Sequence, residues 1–138
     1  MKVYGLNGRE YKISLNKYLV CGDTGKSKYH ILARGLINEI FNGFMVLEEV
    51  KLPGIKAPGV KSSLFLDFFI PNMKIGVEIH GEQHYNYIPF FHKTVSGFYD
   101  SKKRDALKIE WCELNSIELI ELKYSDSISV WKKQLERT

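Results

Sequence analysis

The sequence predicts an α/β fold, a central mixed sheet flanked by helices, and three observations predict it. Two neighbouring runs, Leu64–Ile70 and Ile75–His80, are rich in Phe, Ile and Val and are joined by Pro71-Asn72-Met73-Lys74, as adjacent strands require. Segments with apolar residues at helical spacing occupy 27–42, 101–114 and 126–137. A further apolar run, Ile117–Leu122, separates the last two. Helix, three strands, helix, strand, helix is the order of a sheet covered by helices. At 138 residues the chain suits one domain with a single core and is short for two. Residues 1–26 are expected to be an N-terminal hairpin extension and 27–138 the core.

Residues 1–20 read as short strands around Asn7-Gly8, a strong hairpin signal. The polar loop that follows contains Gly25-Lys26-Ser27, the ending of a phosphate-binding loop. That motif needs glycine at position 20, which is Val20, so no nucleotide site is read there. Ser27 is a suitable N-cap for a helix in which Leu32, Leu36 and Ile40 recur every four residues, and Gly43 supplies a stop. At 100° per residue, Glu39 falls about 20° from Leu32 and is expected to point with that stripe. Phe44–Val50 alternates weakly, as a strand does. The tandem repeat Pro53-Gly54-Ile55-Lys56-Ala57 and Pro58-Gly59-Val60-Lys61-Ser62 breaks regular structure and predicts a loop displaying Lys51, Lys56 and Lys61.

Residues 85–101 are aromatic without a period: Tyr85, Tyr87, Phe90, Phe91, Phe98 and Tyr99. They read either as a hydrophobic lid on the core or as side chains that stack on bases. The helix expected at Ser101–Leu114 carries Leu107, Trp111 and Leu114 on one face. Asp126–Arg137 closes the chain as a helix anchored by Ile128, Trp131 and Leu135.

Composition bounds the function. A hydrophobic fraction of 44% with 26% charged residues is that of a folded globular chain. No apolar run approaches the roughly 18 residues of a membrane span. The N-terminal Met1-Lys2-Val3-Tyr4-Gly5 lacks the apolar segment of a secretory signal. Cys21 and Cys112 form no CxxC pair, which points away from structural zinc and disulfides and toward a reducing, cytoplasmic setting. The net charge of +4 is uneven. Residues 1–61 hold ten Lys/Arg against five Asp/Glu, whereas residues 62–138 hold ten against eleven. A basic flank beside an acidic half suits a polyanion binder that gathers carboxylates for metal.

The strand pair carries the chemistry. If Asn72-Met73 is a two-residue turn, paired residues sum to 145, which sets Asp67 opposite Glu78 and Phe65 opposite His80, with Ile75, Val77 and Ile79 on the other face. Opposed residues have Cβ atoms about 4.5–5.5 Å apart. Carboxylates that close repel, and one holds its proton unless a cation intervenes. An all-oxygen pair favours Mg²⁺ or Mn²⁺ over zinc. Next along the chain, Glu78-Ile79-His80-Gly81-Glu82-Gln83-His84-Tyr85 gathers acid, amide and imidazole groups at a strand end. There His80 can activate water and His84 can act as acid or meet the scissile phosphate.

Leu66-Asp67-Phe68-Phe69-Ile70-Pro71 followed by Val77-Glu78-Ile79-His80-Gly81-Glu82-Gln83-His84-Tyr85 resembles the PD-(D/E)XK nuclease superfamily. It is most similar to the branch of very-short-patch repair endonucleases and EDxHD homing endonucleases, common in phages and large viruses. Asp105, Lys108, Cys112, Asn115, Ile117, Leu119 and Ile120 resemble the helix–strand ending of that branch, so the likeness covers roughly residues 64–122. The resemblance implies a restriction-endonuclease-like fold and a Mg²⁺- or Mn²⁺-dependent DNA endonuclease acting on double-stranded DNA in homing, repair or recombination. It implies that Asp67, Glu78 and the Ile79 carbonyl hold the metal, that Glu39 is the acid of the first helix, and that Gln83 and His84 belong to the catalytic set. Position 80 departs from the pattern, being His where the superfamily has Lys and this branch Asp or Asn. Lys51, Lys56, Lys61, Lys103 and Lys108 are expected to meet nucleic acid, or, for Lys108, to pair with Asp105. The alternatives are an inactive nuclease-fold DNA-binding module and a structure-specific resolvase or RNA-cleaving enzyme.

Overall fold

A computed structural model describes residues 1–19, 26–56, 64–81, 88 and 95–136. Among them, β1 (Lys2–Tyr4) and β2 (Glu10–Lys12) form the expected antiparallel hairpin, with Val3 opposite Tyr11 and Gly8 at φ 81° in the turn. The hairpin is seated on the Pro53-Gly54 turn. A Cβ on Gly5 would lie 2.6 Å from the Gly54 Cα, and the Leu6 N–H donates to the Gly54 carbonyl at 3.0 Å. Residues 53–54 are therefore packed rather than displayed.

Helix α1 (Lys28–Ile40) begins at Ser27, whose hydroxyl accepts the His30 N–H at 3.1 Å. Its buried row is His30, Ala33 and Ile37, continued by Phe41, and not the expected Leu32 stripe. Leu32 is exposed, while Leu36 and Ile40 pack at the margin. Ala33 is fully buried in the core between this helix and the sheet. Glu39 stands about 200° round from Ile37, so it faces solvent, 3.8 Å from Lys132.

Strands β3 (Leu47–Leu52), β4 (Leu64–Ile70), β5 (Ile75–His80) and β6 (Glu118–Lys123) make one sheet in that order. The first two pairings are antiparallel and β5–β6 is parallel, so the sheet is mixed, as expected. Phe68 faces Val77, Phe69 faces Gly76 and Ile70 faces Ile75, each pair summing to the predicted 145. The connection is a 3-10 turn at Pro71–Met73 closed by Lys74 at φ 52°, not a two-residue turn. Neither Asp67 and Glu78 nor Phe65 and His80 are paired positions, because the β4–β5 pairing ends at Phe68 and Val77, where β4 changes face.

Helix α2 (Val95–Leu114) links the parallel strands and starts six residues before the expected Ser101, taking Phe98 and Tyr99 into its first turns. Trp111 and Cys112 are its buried residues, while Leu114 is exposed. Helix α3 (Ile128–Glu136) is anchored by Trp131 and Leu135, with Ile128 exposed. Helices α1 and α3 cover one sheet face, where Ala33, Ile37, Trp131 and Leu135 meet Phe68, Ile70, Val77 and Leu122. Helix α2 and the hairpin cover the other, where Trp111, Cys112 and Val3 meet Leu47, Val50, Leu66 and Phe69. Both faces are buried, so the β5 face bearing Glu78 is a core face and not a solvated one. No helix among the described residues is long and apolar enough to cross a membrane.

Candidate metal centre

Side chains alternate along a strand, so Leu66 and Phe68 should share a face. Instead Leu66 packs with Phe69 beneath α2, and Phe68 packs beneath α1 and α3. Strand β3 slips at the same level: Leu47 and Val50 both join the α2 side, with Glu49 between them at φ 53°. Glu48 pairs with Phe68 and Val50 with Leu66, so the register is kept across the slip. The two strands change face together, and the residues at the change are Glu49 and Asp67. A non-glycine residue held at positive φ costs on the order of 1–2 kcal/mol, and here that strain falls where two carboxylates lie side by side.

The Ile79 N–H donates to Asp67 Oδ2 at 2.8 Å. The next residue, His80, turns its carbonyl to β6, where it accepts the Tyr124 N–H at 2.8 Å, and successive residues alternate, so the Ile79 carbonyl is directed to the β4 side like its N–H. Beside Asp67, Glu78 Oε1 lies 2.6 Å from Lys108 Nζ, with the side chains 5% and 18% exposed respectively. This is a close, largely buried ion pair. Burial pushes the Glu78 carboxyl well above the usual carboxylate range, and the Asp67 charge adds to it against the pull of Lys108. Burial acts to lower Lys108, yet Glu78, Asp67 and Asp105 hold its ammonium above the ordinary lysine value. Burial, with Glu78 adding, pushes the Cys112 thiol up to about 12.

On the α1 side of the sheet, the His30 ring stacks on Phe68 with centroids 4.5 Å apart. Its Nε2 is 2.8 Å from Glu48 Oε1, and Arg34 donates to both Glu48 oxygens at 2.9 Å. A carboxylate on one ring nitrogen fixes the orientation of the other, the usual support of a ligating histidine. Lys26 Nζ lies 2.8 Å from Glu49 Oε1. His30, Glu49 and Asp67 each offer a ligand atom, and these atoms lie within 4.8 Å of one another. Asp67 thus stands between Glu78 and the His30–Glu49 pair.

Of the predicted site residues, the structure brings together Asp67, Glu78 and the Ile79 backbone. Lys108 joins them as a half-buried counter-charge to Glu78, with Asp105 also acting on its ammonium. His80 is buried at the end of the same strand, its Nδ1 3.1 Å from Glu121 Oε2. Glu39 is not part of the centre, because α1 is turned so that His30 and not Glu39 faces inward. Lys51 lies on β3 rather than in a loop, and Lys51, Lys56 and Lys103 are exposed. Lys61, Gln83 and His84 lie outside the described residues.

Sequence reasoning missed His30, Arg34, Glu48 and Glu49. Two signals were available: a His and an Arg four apart in the Ser27-capped helix, and consecutive glutamates inside an apolar strand. Assigning the inner face to Leu32 turned His30, about 200° away, outward.

Comparison with known proteins finds viral relatives. The chain is 43% identical over 63 residues to Uncharacterized protein 307L of Invertebrate iridescent virus 6, a match covering 46% of this chain and 32% of that protein. It is 35% identical over 75 residues to Uncharacterized protein 033L of Invertebrate iridescent virus 3, covering 54% and 39%. It is 36% identical over 81 residues to Uncharacterized protein 094L of Frog virus 3, covering 56% and 51%. The chain therefore spans about a third to a half of the length of the curated relatives it matches. No family model and no solved structure matches it.

Proposed function

We propose that this chain is a metal-dependent DNA endonuclease of the PD-(D/E)XK type, with a restriction-endonuclease-like core and its centre at Asp67 and Glu78. The observation that carries this reading is the half-buried Asp67 carboxylate beside the buried Glu78, whose Oε1 is met at 2.6 Å by a lysine from α2. Acid, acid and lysine are the groups that the resemblance calls for. Position 80 of the motif is histidine, and Lys108 supplies from α2 the cation that the superfamily places on the strand.

An oxygen-only donor set fits Mg²⁺ or Mn²⁺, to be held by Asp67, Glu78 and the Ile79 carbonyl. When bound, such an ion polarises a phosphodiester and lowers the pKa of water. The chain's own groups do the rest. The Ile79 N–H fixes the Asp67 carboxylate. The Lys108 ammonium stabilises charge that builds on the phosphoryl oxygens, and a desolvated site strengthens that effect. Glu121 orients the His80 ring, which moves a proton at the strand end.

One observation favours a second reading, an inactive nuclease-fold DNA-binding module. Glu48, Glu49 and Glu78 each have a cationic partner, as in an ion-pair network that only holds the fold. Incubation of supercoiled plasmid with Mg²⁺ or Mn²⁺ separates the two. The nuclease reading expects nicking that EDTA and Asp67→Ala abolish. Absence of metal-dependent nicking, or equal nicking by the variant, favours the binding module.

A further inference from the structure

We propose that the groove between the N-terminal hairpin and the end of β3 binds an unpaired nucleic-acid strand, by its phosphates and by stacking of a base. The groove encloses about 410 Å³ and is lined by Tyr11, Lys12, Lys17, Tyr18, Lys51 and the Pro53-Gly54 turn, among others. Pockets for small ligands and nucleotides run from about 300 to 1,000 Å³. Lys12, Lys17 and Lys51 are exposed, and none has a carboxylate partner among the described residues. Three uncompensated ammonium groups around one concavity call for a polyanion.

The tyrosines narrow the class. Tyr11 and Tyr18 are half-buried and packed on the core beneath α2, so their rings are held rather than free to swing. Lys17 Nζ sits 5.7 Å from the Tyr18 ring centroid. Rigid aromatic faces interleaved with lysines are the means by which proteins hold single strands without reading sequence. The groove is also rigidly mounted: the hairpin is locked to Gly54 by backbone contact, and the turn at Asn16–Tyr18 packs on β3. The groove extends the nuclease reading but does not depend on it.

Fluorescence anisotropy with a labelled dT12 strand in EDTA tests the proposal without hydrolysis, so a failed nicking assay leaves it standing. The comparison is the wild type against Lys12→Gln/Lys17→Gln/Lys51→Gln, with the exposed pair Lys132→Gln/Lys133→Gln as a control. The triple variant is expected to lose about tenfold or more in affinity at moderate salt, and its log–log salt slope to shrink by about 2, at roughly 0.7 per phosphate contact. Tyr18→Leu is expected to weaken dT12 while leaving binding of inorganic polyphosphate unchanged. Unaltered dT12 binding by the triple lysine variant overturns the proposal. So does equal loss of polyphosphate and dT12 in the lysine variant combined with indifference to Tyr18→Leu, since the groove is then a general anion patch.

Discussion

Replacing Lys108 by methionine keeps most of its stem and removes the charge that faces Glu78. The two groups are 2.6 Å apart with side chains 18% and 5% exposed, so water does little to screen the loss. Breaking a buried pair from one side costs about 3–5 kcal/mol when the remaining charge stays charged. Glu78 has a way out, because burial and Asp67 already raise its carboxyl, and without Lys108 it rises further and takes up a proton. A carboxyl raised on folding favours the native state only where the unfolded chain is protonated too. Its stability is present below the unfolded value near 4.3 and is lost as pH climbs toward the folded value, by about 1.4 kcal/mol per unit. Lys108→Met should therefore cost about 1 kcal/mol or less at pH 4.5 and about 3–5 kcal/mol at pH 8. Urea denaturation of both proteins at the two pH values measures it. The double variant Glu78→Gln/Lys108→Met should recover most of the loss at pH 8. An equal cost at both pH values, or no recovery in the double variant, refutes Lys108 as the counter-charge of Glu78.

Other consequences can be checked separately. Cys112, with its thiol near 12, should resist a thiol reagent at pH 8 in the native protein and react only on unfolding. Because the unfolded thiol ionises near 8.5, this residue should make stability fall by about 1.4 kcal/mol per pH unit above that value, a slope that Cys112→Ala removes. Arg34→Met leaves the Glu48 carboxylate with His30 alone and should lower stability by about 2–4 kcal/mol at pH 8 in urea denaturation. Glu39→Gln, at an exposed helix position 3.8 Å from Lys132, should change stability by no more than about 0.5 kcal/mol and leave plasmid nicking unaltered.

The fold was legible where local pattern and tertiary packing agree. The β4–β5 register followed from alternation on a two-sided hairpin, and it survived a wrong turn type because Ile70 and Ile75 still had to meet. The Ser27 cap and the Trp131–Leu135 anchor were readable for the same reason, since each needs only its own segment. The rotation of α1 was not. Leu32, Leu36 and Ile40 form a cleaner apolar row than His30, Ala33 and Ile37, and only the sheet decides which row is buried. Glu39 was misplaced by that error and His30 was lost to it. The joint change of face at Glu49 and Asp67 was invisible too, because each strand alone reads as unbroken. Asp67 and Glu78 lie side by side although the β4–β5 pairing stops one step short of them, whereas Lys108 is 30 positions from Glu78 in the chain and reaches it only through the crossover helix.

The central claim is that Asp67 and Glu78 together hold a divalent cation, and direct counting of bound Mn²⁺ by electron paramagnetic resonance at pH 7.5 tests it. The wild type should take up at least one ion per chain, and Asp67→Ala and Glu78→Gln should each weaken it by about tenfold or more. A wild-type chain that leaves all Mn²⁺ free, or variants that bind it as tightly, would contradict the claim.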